Sequence, residues 1–178
     1  MISKFERSAA CLSVITEVIR QMNTVKGRVR IQKTAYFLKR LGVKELKYVD
    51  FFYHHYGPFS STVANSLVDG VQCEALVEIP KPLVDDRQAY EYRLGKDVSE
   101  KVDAVSKSSR KSIEGLMARV KDEEWRTLEL ASTIDYLQNR ERISRDAALS
   151  RALGLKPACH AYQKEALDLL KDLALPPV

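Results

Sequence analysis

Apolar residues recur every three or four positions along most of the chain, a spacing that gathers side chains on one face of an α-helix. A first helix is predicted over roughly residues 3–22, with an apolar stripe of Phe5, Ala9, Leu12, Ile15, Ile19 and Met22. A second should run from about Lys26 to Leu41 and end at Gly42, because glycine favours helix C-termini. Ser60 or Ser61 can cap a third, with an inner face of Val63, Ala64, Leu67, Val68 and Val71.

One segment departs from this helical spacing. Ala75–Ile79 and Gln88–Leu94 have patterns typical of strands, and the loop between them contains Pro80, Pro82, Asp85 and Asp86. This order of elements, helices followed by a hairpin, is expected of a winged helix-turn-helix. The predicted fold class is mainly α (α+β). Residues 1–95 would form winged-helix-like helices with a small β-hairpin. Residues 96–178 would form a C-terminal helical bundle packed on that core as one compact unit.

Composition limits the compartment and the covalent chemistry. The 178-residue chain is 45% hydrophobic, enough for a core, yet its apolar runs are only a few residues long. A membrane span needs about 20 residues, and the N-terminus lacks a signal peptide's apolar stretch. We therefore expect a cytoplasmic protein that does not bind membranes. Cys11, Cys73 and Cys159 are far apart, so we expect three small core residues rather than disulfides.

Positive charge is concentrated in one segment. The net charge is +5, and Lys26–Lys47 contains eight basic residues against one acid, Glu45. Such a patch suits nucleic acid or an acidic protein partner, and it can equally be an ordinary solvated surface. The candidate nucleic-acid contacts are Lys26, Arg28, Arg30, Lys33, Lys39 and Arg40.

A helical wheel divides the second helix into two faces. The core face would comprise Ile31, Thr34, Ala35, Leu38 and Leu41. Lys33, Tyr36 and Arg40 lie together on the other face, which predicts a cationic, hydrogen-bonding surface. The alternative is a solvated face with Tyr36 half-packed.

The segment Lys47–Tyr56 is rich in aromatic residues and suits an extended stretch or a short buried helix, ended by Gly57-Pro58. His54 and His55 would point to opposite sides of a strand, so they could not easily share a metal. Packing or a backbone hydrogen bond is the expected role, and general-base catalysis the alternative. No metal-ligand spacing, nucleophile elbow or phosphate loop is present. We predict no catalytic residue, metal or cofactor, and a hydrolase or nuclease using His54 or His55 is the weakest hypothesis.

The third helix has few side chains suited to contacting DNA bases. Its polar face comprises Thr62, Asn65, Ser66 and Asp69. Recognition helices usually offer Arg, Lys, Asn or Gln to DNA, and here only Asn65 fits, whereas Asp69 would repel phosphate. Any contact with nucleic acid is therefore expected through phosphates and the basic residues between Lys26 and Arg40.

Three blocks resemble a known family. Ile31–Leu38 (IQKTAYFL) resembles the "LQKLLYF" helix of the Panacea domain of SocA-type antitoxins, and His55–Ser60 (HYGPFS) resembles its "yGP" motif. The likeness is closer to YwgA-like bacterial proteins of unknown function, which have "YHYGPFS" followed by a small hairpin. Trp125–Thr133 (WRTLELAST) resembles their "LELAST" block. Together the blocks extend over most of residues 25–140.

The resemblance implies an antitoxin or adaptor, encoded near mobile elements or phage-defence genes, that binds a toxin and presents it to a protease. Its signature positions here would be Gln32, Lys33, Tyr36, Tyr56, Gly57 and Pro58. The chain departs from the family at Thr34, where a leucine is usual, and in a helical tail after residue 140. The signature can equally hold the fold together, with Tyr56 packed under the second helix and its hydroxyl on Lys33 or Gln32.

Two functional hypotheses follow. The first is a non-enzymatic, antitoxin- or adaptor-like interaction protein whose partner is a toxin or a protease system, with a homodimer left open. Its predicted partner-binding residues are Gln32, Lys33, Tyr36, Arg40, His55, Tyr56, Gly57 and Pro58. The alternative is a winged-helix DNA-binding transcriptional regulator that uses the basic patch.

Overall fold

The computed structural model describes residues 3–82 and 88–176, in which helices predominate and the strands are short. The first half contains α1 (Lys4–Met22), β1 (Val25–Lys26), α2 (Arg28–Arg40), β2 (Phe52–His54), β3 (Gly57–Phe59), α3 (Ser61–Gln72), β4 (Leu76–Pro82) and β5 (Gln88–Leu94). The second half contains α4 (Val98–Lys101), α5 (Lys107–Val120), α6 (Trp125–Glu141), α7 (Arg145–Leu155) and α8 (Gln163–Leu173). Two 3₁₀ turns lie at Lys44–Leu46 and Pro157–Tyr162. The mainly α (α+β) prediction is confirmed.

Serine side chains start several of these helices. The Ser3 hydroxyl accepts a hydrogen bond from the Glu6 amide, and the Glu6 carboxylate accepts one from the Ser3 amide, forming a capping box. Ser60 caps α3 through the Val63 amide, as predicted. Ser106 and Ser144 cap α5 and α7 in the same way. Each cap satisfies amide groups that have no partner within the helix.

The three-stranded antiparallel sheet has the order β1-β5-β4. Val25 of β1 pairs with Tyr92, and the β4–β5 hairpin runs in register from Leu76↔Leu94 to Pro82↔Gln88. The hairpin follows α1, α2 and α3 in the chain, and β1 pairs with its β5 strand. β4 extends three residues beyond the predicted Ala75–Ile79, and the predicted loop residues Asp85 and Asp86 lie outside the described ranges.

Helix α6 lies at the centre of the molecule, in contact with α2, α7, α8 and β3. Every residue from Thr127 to Asp135 is buried. A single cluster of buried side chains joins both halves of the chain, including Ile15 of α1, Leu38 of α2, Ile134 of α6 and Leu169 of α8. A helix buried on all sides must find partners for its polar residues in neighbouring elements.

Three predicted core positions face solvent instead. Phe5 and Ala9, assigned above to the inner face of α1, and Val68, assigned to that of α3, are exposed. At this end of the two helices the contact is polar: the Ser8 hydroxyl lies 3.1 Å from Ser66 Oγ and donates to Asp69 Oδ2 over 2.5 Å. Because this polar contact joins the helices, Phe5 and Val68 border an open groove rather than the core.

The cysteines are free thiols, and Cys73 is exposed whereas Cys11 and Cys159 are buried. The prediction of three core cysteines is therefore wrong for Cys73. Within residues 3–82 and 88–176, no helix combines the length and apolar character needed to cross a membrane.

Candidate functional site

Side chains of helix α2 form hydrogen bonds with backbone groups in and next to β3. Gln32 Nε2 donates to the Ser60 carbonyl over 3.0 Å, and the Ser60 amide donates to Gln32 Oε1 over 2.9 Å. Lys33 Nζ donates to the Pro58 carbonyl over 2.8 Å. Buried backbone groups at a strand edge are costly without partners. Gln32 and Lys33 therefore bond the edge of β3 that faces the core.

Gly57 and Pro58 are suited to their places in the β2–β3 hairpin. The register pairs Phe52↔Phe59, Tyr53↔Pro58 and His54↔Gly57. Gly57 has a φ of 84°, and a Cβ there would lie 2.3 Å from Thr133 Oγ1. Only glycine combines this left-handed backbone with so close an approach to α6.

Two buried lysines and one carboxylate lie beneath the hairpin. Lys156 Nζ is 2.7 Å from Glu129 Oε1 and donates to the His55 carbonyl over 2.7 Å. Lys33 is only 1% exposed. Burial lowers the pKa of Lys33 to about 7, since the charge of Glu129 only partly offsets the loss of water and Lys156 opposes protonation. Lys33 and Lys156 thus each donate a hydrogen bond to a hairpin carbonyl from the core side.

A second buried cluster joins α2 to α6. Tyr36 Oη donates to Asp135 Oδ2 over 2.5 Å, and Arg40 Nε donates to the same oxygen over 2.8 Å. Burial first, and then the negative charge of Asp135, raise the pKa of Tyr36. Arg40 also donates to the Pro176 carbonyl.

The predicted cationic surface of Lys33, Tyr36 and Arg40 is therefore wrong about exposure. Lys33 and Tyr36 are buried and the Arg40 side chain is largely covered. Helix α6 packs on this face of α2 and brings Asp135 to the polar groups, with Glu129 near Lys33. The helical wheel identified the polar face correctly, but that face lies inside the molecule.

The predicted basic patch is largely bonded within the chain. Arg28 donates to the Tyr92 hydroxyl over 2.7 Å and to Glu78 over 2.9 Å. Its guanidinium also lies 4.0 Å from the centre of the Tyr90 ring. Arg30 donates to the carbonyls of Val120 and Glu123.

The remaining members of that patch are similarly placed. Lys39 donates to the Val49 carbonyl, while Lys33 and Arg40 belong to the buried clusters just described. Lys26 is exposed. Five of the six candidate nucleic-acid residues thus bond to protein groups, and the stretch is not a continuous free cationic face.

The outer surface of the hairpin is aromatic and accessible. Phe52 and Tyr56 are each 47% exposed, and Tyr53 is 37% exposed. The Phe52 and Phe59 rings are 5.4 Å apart, and Tyr56 lies 6.4 Å from Trp125. The prediction that Tyr56 packs under α2 is wrong, because it lies in the exposed turn between β2 and β3.

His54 and His55 are exposed neighbours. Their rings are 4.9 Å apart, and His54 also lies 5.2 Å from the Phe59 ring. The expectation that they point to opposite sides is wrong, since His55 belongs to the turn rather than to the strand. In the part of the chain that the structure describes, no group of three His, Cys, Asp or Glu side chains is placed to hold a metal ion.

The structure brings together the three sequence blocks considered above. Gln32 and Lys33 meet Pro58 and Ser60, and Gly57 meets Thr133 of the third block. Sequence reasoning missed Glu129, Asp135 and Lys156. Glu129 and Asp135 carried a signal, since both are acids inside a strongly apolar helical run. Lys156 carried none.

No protein-family model matches the chain, and no curated protein matches it either.

Proposed function

We propose that this chain is a protein-interaction module of the antitoxin or adaptor kind, which binds its partner through the outer surface of the β2–β3 hairpin. The observation that carries the proposal is the exposure of Phe52 and Tyr56 on a hairpin that is bonded from below. Exposed aromatic patches on a rigid support are typical of binding surfaces.

Rigidity is the second support. Lys33 and Lys156 bond two hairpin carbonyls, and Gln32 bonds Ser60 at the end of β3. A surface held in one conformation loses little conformational entropy when a partner binds. The buried part of the signature then acts as the support, and His55 and Tyr56 remain as partner contacts.

The experiment is a binding assay with the purified chain as bait for the products of neighbouring genes. Phe52→Ser and Tyr56→Ser should each weaken binding at least tenfold, about the effect of removing an interface anchor. Val68→Ser is the matched control, because Val68 is exposed on α3, outside the hairpin. Equal binding by all three variants would exclude the hairpin surface.

The DNA-binding alternative is favoured by one observation, the winged-helix sheet order β1-β5-β4. The internal bonding of Arg28, Arg30 and Lys39 opposes it. A gel shift with the protein's own promoter across a salt series tests it, because phosphate contacts strengthen as salt falls. Absence of a shift at the lowest salt would exclude this function.

A further inference from the structure

The hairpin has one edge that its own chain bonds and one that it leaves open. Pro58 has no amide hydrogen, so Tyr53 and Pro58 cannot form a hydrogen-bonded pair in the antiparallel ladder. Their backbone groups must then point away from each other. The Lys33 contact fits this geometry, since it reaches the Pro58 carbonyl on the far side of β3.

The amide and carbonyl of Tyr53 therefore point to the outer side of β2. Within residues 3–82 and 88–176, no hydrogen bond outside the β2–β3 ladder is found for either group. All three β2 residues are exposed. On the opposite side of the hairpin, Gln32 and Lys33 already bond the β3 edge. A further strand can add only beside β2.

We infer that an extended segment of the partner protein adds to β2 as a third strand and exchanges backbone hydrogen bonds with Tyr53. This inference rests on the proposed function, which it makes more specific. Strand addition is a general mode of peptide recognition, in which backbone bonds align the peptide and side-chain contacts select it. Because β2 is short, the backbone bonds set the register and aromatic contacts supply most of the affinity.

The side chains around β2 define the chemistry of that segment. Phe52 and His54 lie on one face with Phe59, and Tyr53 lies on the other, 6.3 Å from Tyr136. A strand paired with β2 would place every second side chain against the rings of one face. We therefore expect apolar residues at alternate positions of the segment.

Charge favours acidic flanks on the segment over a second copy of this chain. The hairpin residues 52–59 include no acid. Arg126 lies over the Trp125 ring, and Lys156 Nζ lies 6.0 Å from the centre of the Tyr53 ring. A second copy paired through β2 would bring the same positive groups together, which is unfavourable.

The decisive comparison is Tyr53→Pro against Tyr53→Thr. Both variants lose the ring, but only proline also loses the amide hydrogen, and proline is tolerated at an outward-facing edge position. Peptides are first selected from a random dodecapeptide display library against the immobilised full chain, and their affinities are then measured by calorimetry. We expect binding to Tyr53→Pro to be about tenfold weaker than to Tyr53→Thr, the effect of one lost backbone bond.

Amide hydrogen exchange in the unaltered chain gives a measurement that needs no variant. Saturation with a selected peptide should slow exchange of the Tyr53 amide at least tenfold, the change expected when an open amide becomes bonded. Equal affinities for the two variants, an unprotected Tyr53 amide, or a library that yields no peptide would each overturn strand addition. A dimer that is detected by light scattering and dissociated by Tyr53→Pro would also overturn strand addition, because it would assign the β2 edge to a second copy of the chain.

Failure of strand addition is distinct from failure of the proposed function. If Tyr56→Ser abolishes partner binding while Tyr53→Pro and Tyr53→Thr bind equally, the hairpin is the interaction surface and strand addition is excluded. If Phe52→Ser and Tyr56→Ser both bind the partner normally, the proposed function itself fails.

Discussion

Among the described residues, the one hydrogen-bond acceptor found for the buried Lys33 amine is the neutral carbonyl of Pro58. Glu129, the carboxylate that acts on it, is already in direct contact with Lys156. Burial of a charge without its own counter-ion is costly, so the group loses its proton more easily than an ordinary lysine. The stability of the folded chain is thus coupled to the protonation of one residue.

The first prediction concerns that coupling. In the unfolded chain the pKa of lysine is about 10.4, whereas in the folded chain the pKa of Lys33 is about 7. Between these values the unfolded state binds more protons, so the free energy of unfolding should rise with pH from about 7 to about 9.5, by a few kcal/mol at most. Lys33→Met should remove this contribution, as measured by urea unfolding across that range.

The control for this experiment is Lys111→Met, since Lys111 is exposed on α5. This variant should keep the pH dependence of the unaltered chain. Lys33→Met should also be less stable at the upper end of the range, because the Pro58 carbonyl loses its donor. Parallel pH profiles for the unaltered chain and Lys33→Met would contradict the assignment.

The second residue-scale prediction concerns two glycines with similar backbones. Gly42 and Gly57 have φ values of 79° and 84°, but only Gly57 is close to another side chain, that of Thr133. Gly42→Ala should therefore cost only the left-handed strain, about 1–2 kcal/mol. Gly57→Ala should cost clearly more, because α6 or the hairpin must shift. Equal losses in thermal unfolding would show that the approach to Thr133 is unimportant.

At the scale of elements, the contact between α2 and α6 explains why sequence reasoning succeeded for the helices and failed for the site. The spacing of Ile31, Ala35 and Leu38 predicts which face of α2 is apolar. It cannot show that another helix carries acids opposite the polar face. Asp135 lies 95 residues from Arg40 in sequence, and no local pattern links them.

The turn was predicted more completely than the contacts around it. Gly57-Pro58 predicts a change of chain direction, and Ser60 predicts the start of α3, because both follow from local backbone preferences. The exposure of Tyr56 depends instead on where α6 places Trp125. That position is a property of the packed molecule.

The third prediction concerns the ion pair between these helices. Asp135→Ala should cost about 3 kcal/mol or more, because it leaves Arg40 without its counter-ion and the Tyr36 hydroxyl without an acceptor. The matched control is Glu141→Ala, near the end of the same helix. Glu141 pairs with Arg151, whose side chain is 59% exposed, so its loss should cost less than about 1 kcal/mol. Chemical denaturation measures both, and similar losses would contradict a special role for Asp135.

At the scale of the whole molecule, both halves of the chain contribute to one core. Tyr36, Phe37 and Leu38 of α2 belong to the same buried cluster as Leu128 and Ile134 of α6. Without the second half, α2 would expose both its polar cluster and much of this apolar surface. The first half is therefore incomplete as a core.

The fourth prediction follows from this shared core. A fragment of residues 1–95 should fail to fold cooperatively or should aggregate, whereas the full chain should unfold in one transition. Circular dichroism and the dispersion of amide signals in NMR spectra distinguish these states. A fragment with a sharp thermal transition and dispersed signals would show that the first half is an independent domain.

The bonds from Lys33 and Lys156 to the hairpin have a consequence for protein synthesis. The hairpin is complete by residue 59, but one of its supports is 97 positions further along the chain. On a ribosome, the segment up to Ser60 emerges long before Lys156 does. The aromatic surface can therefore take its final shape only after Lys156 has emerged. A partner that recognises this shape would bind chains from which Lys156 has emerged and pass over shorter nascent ones.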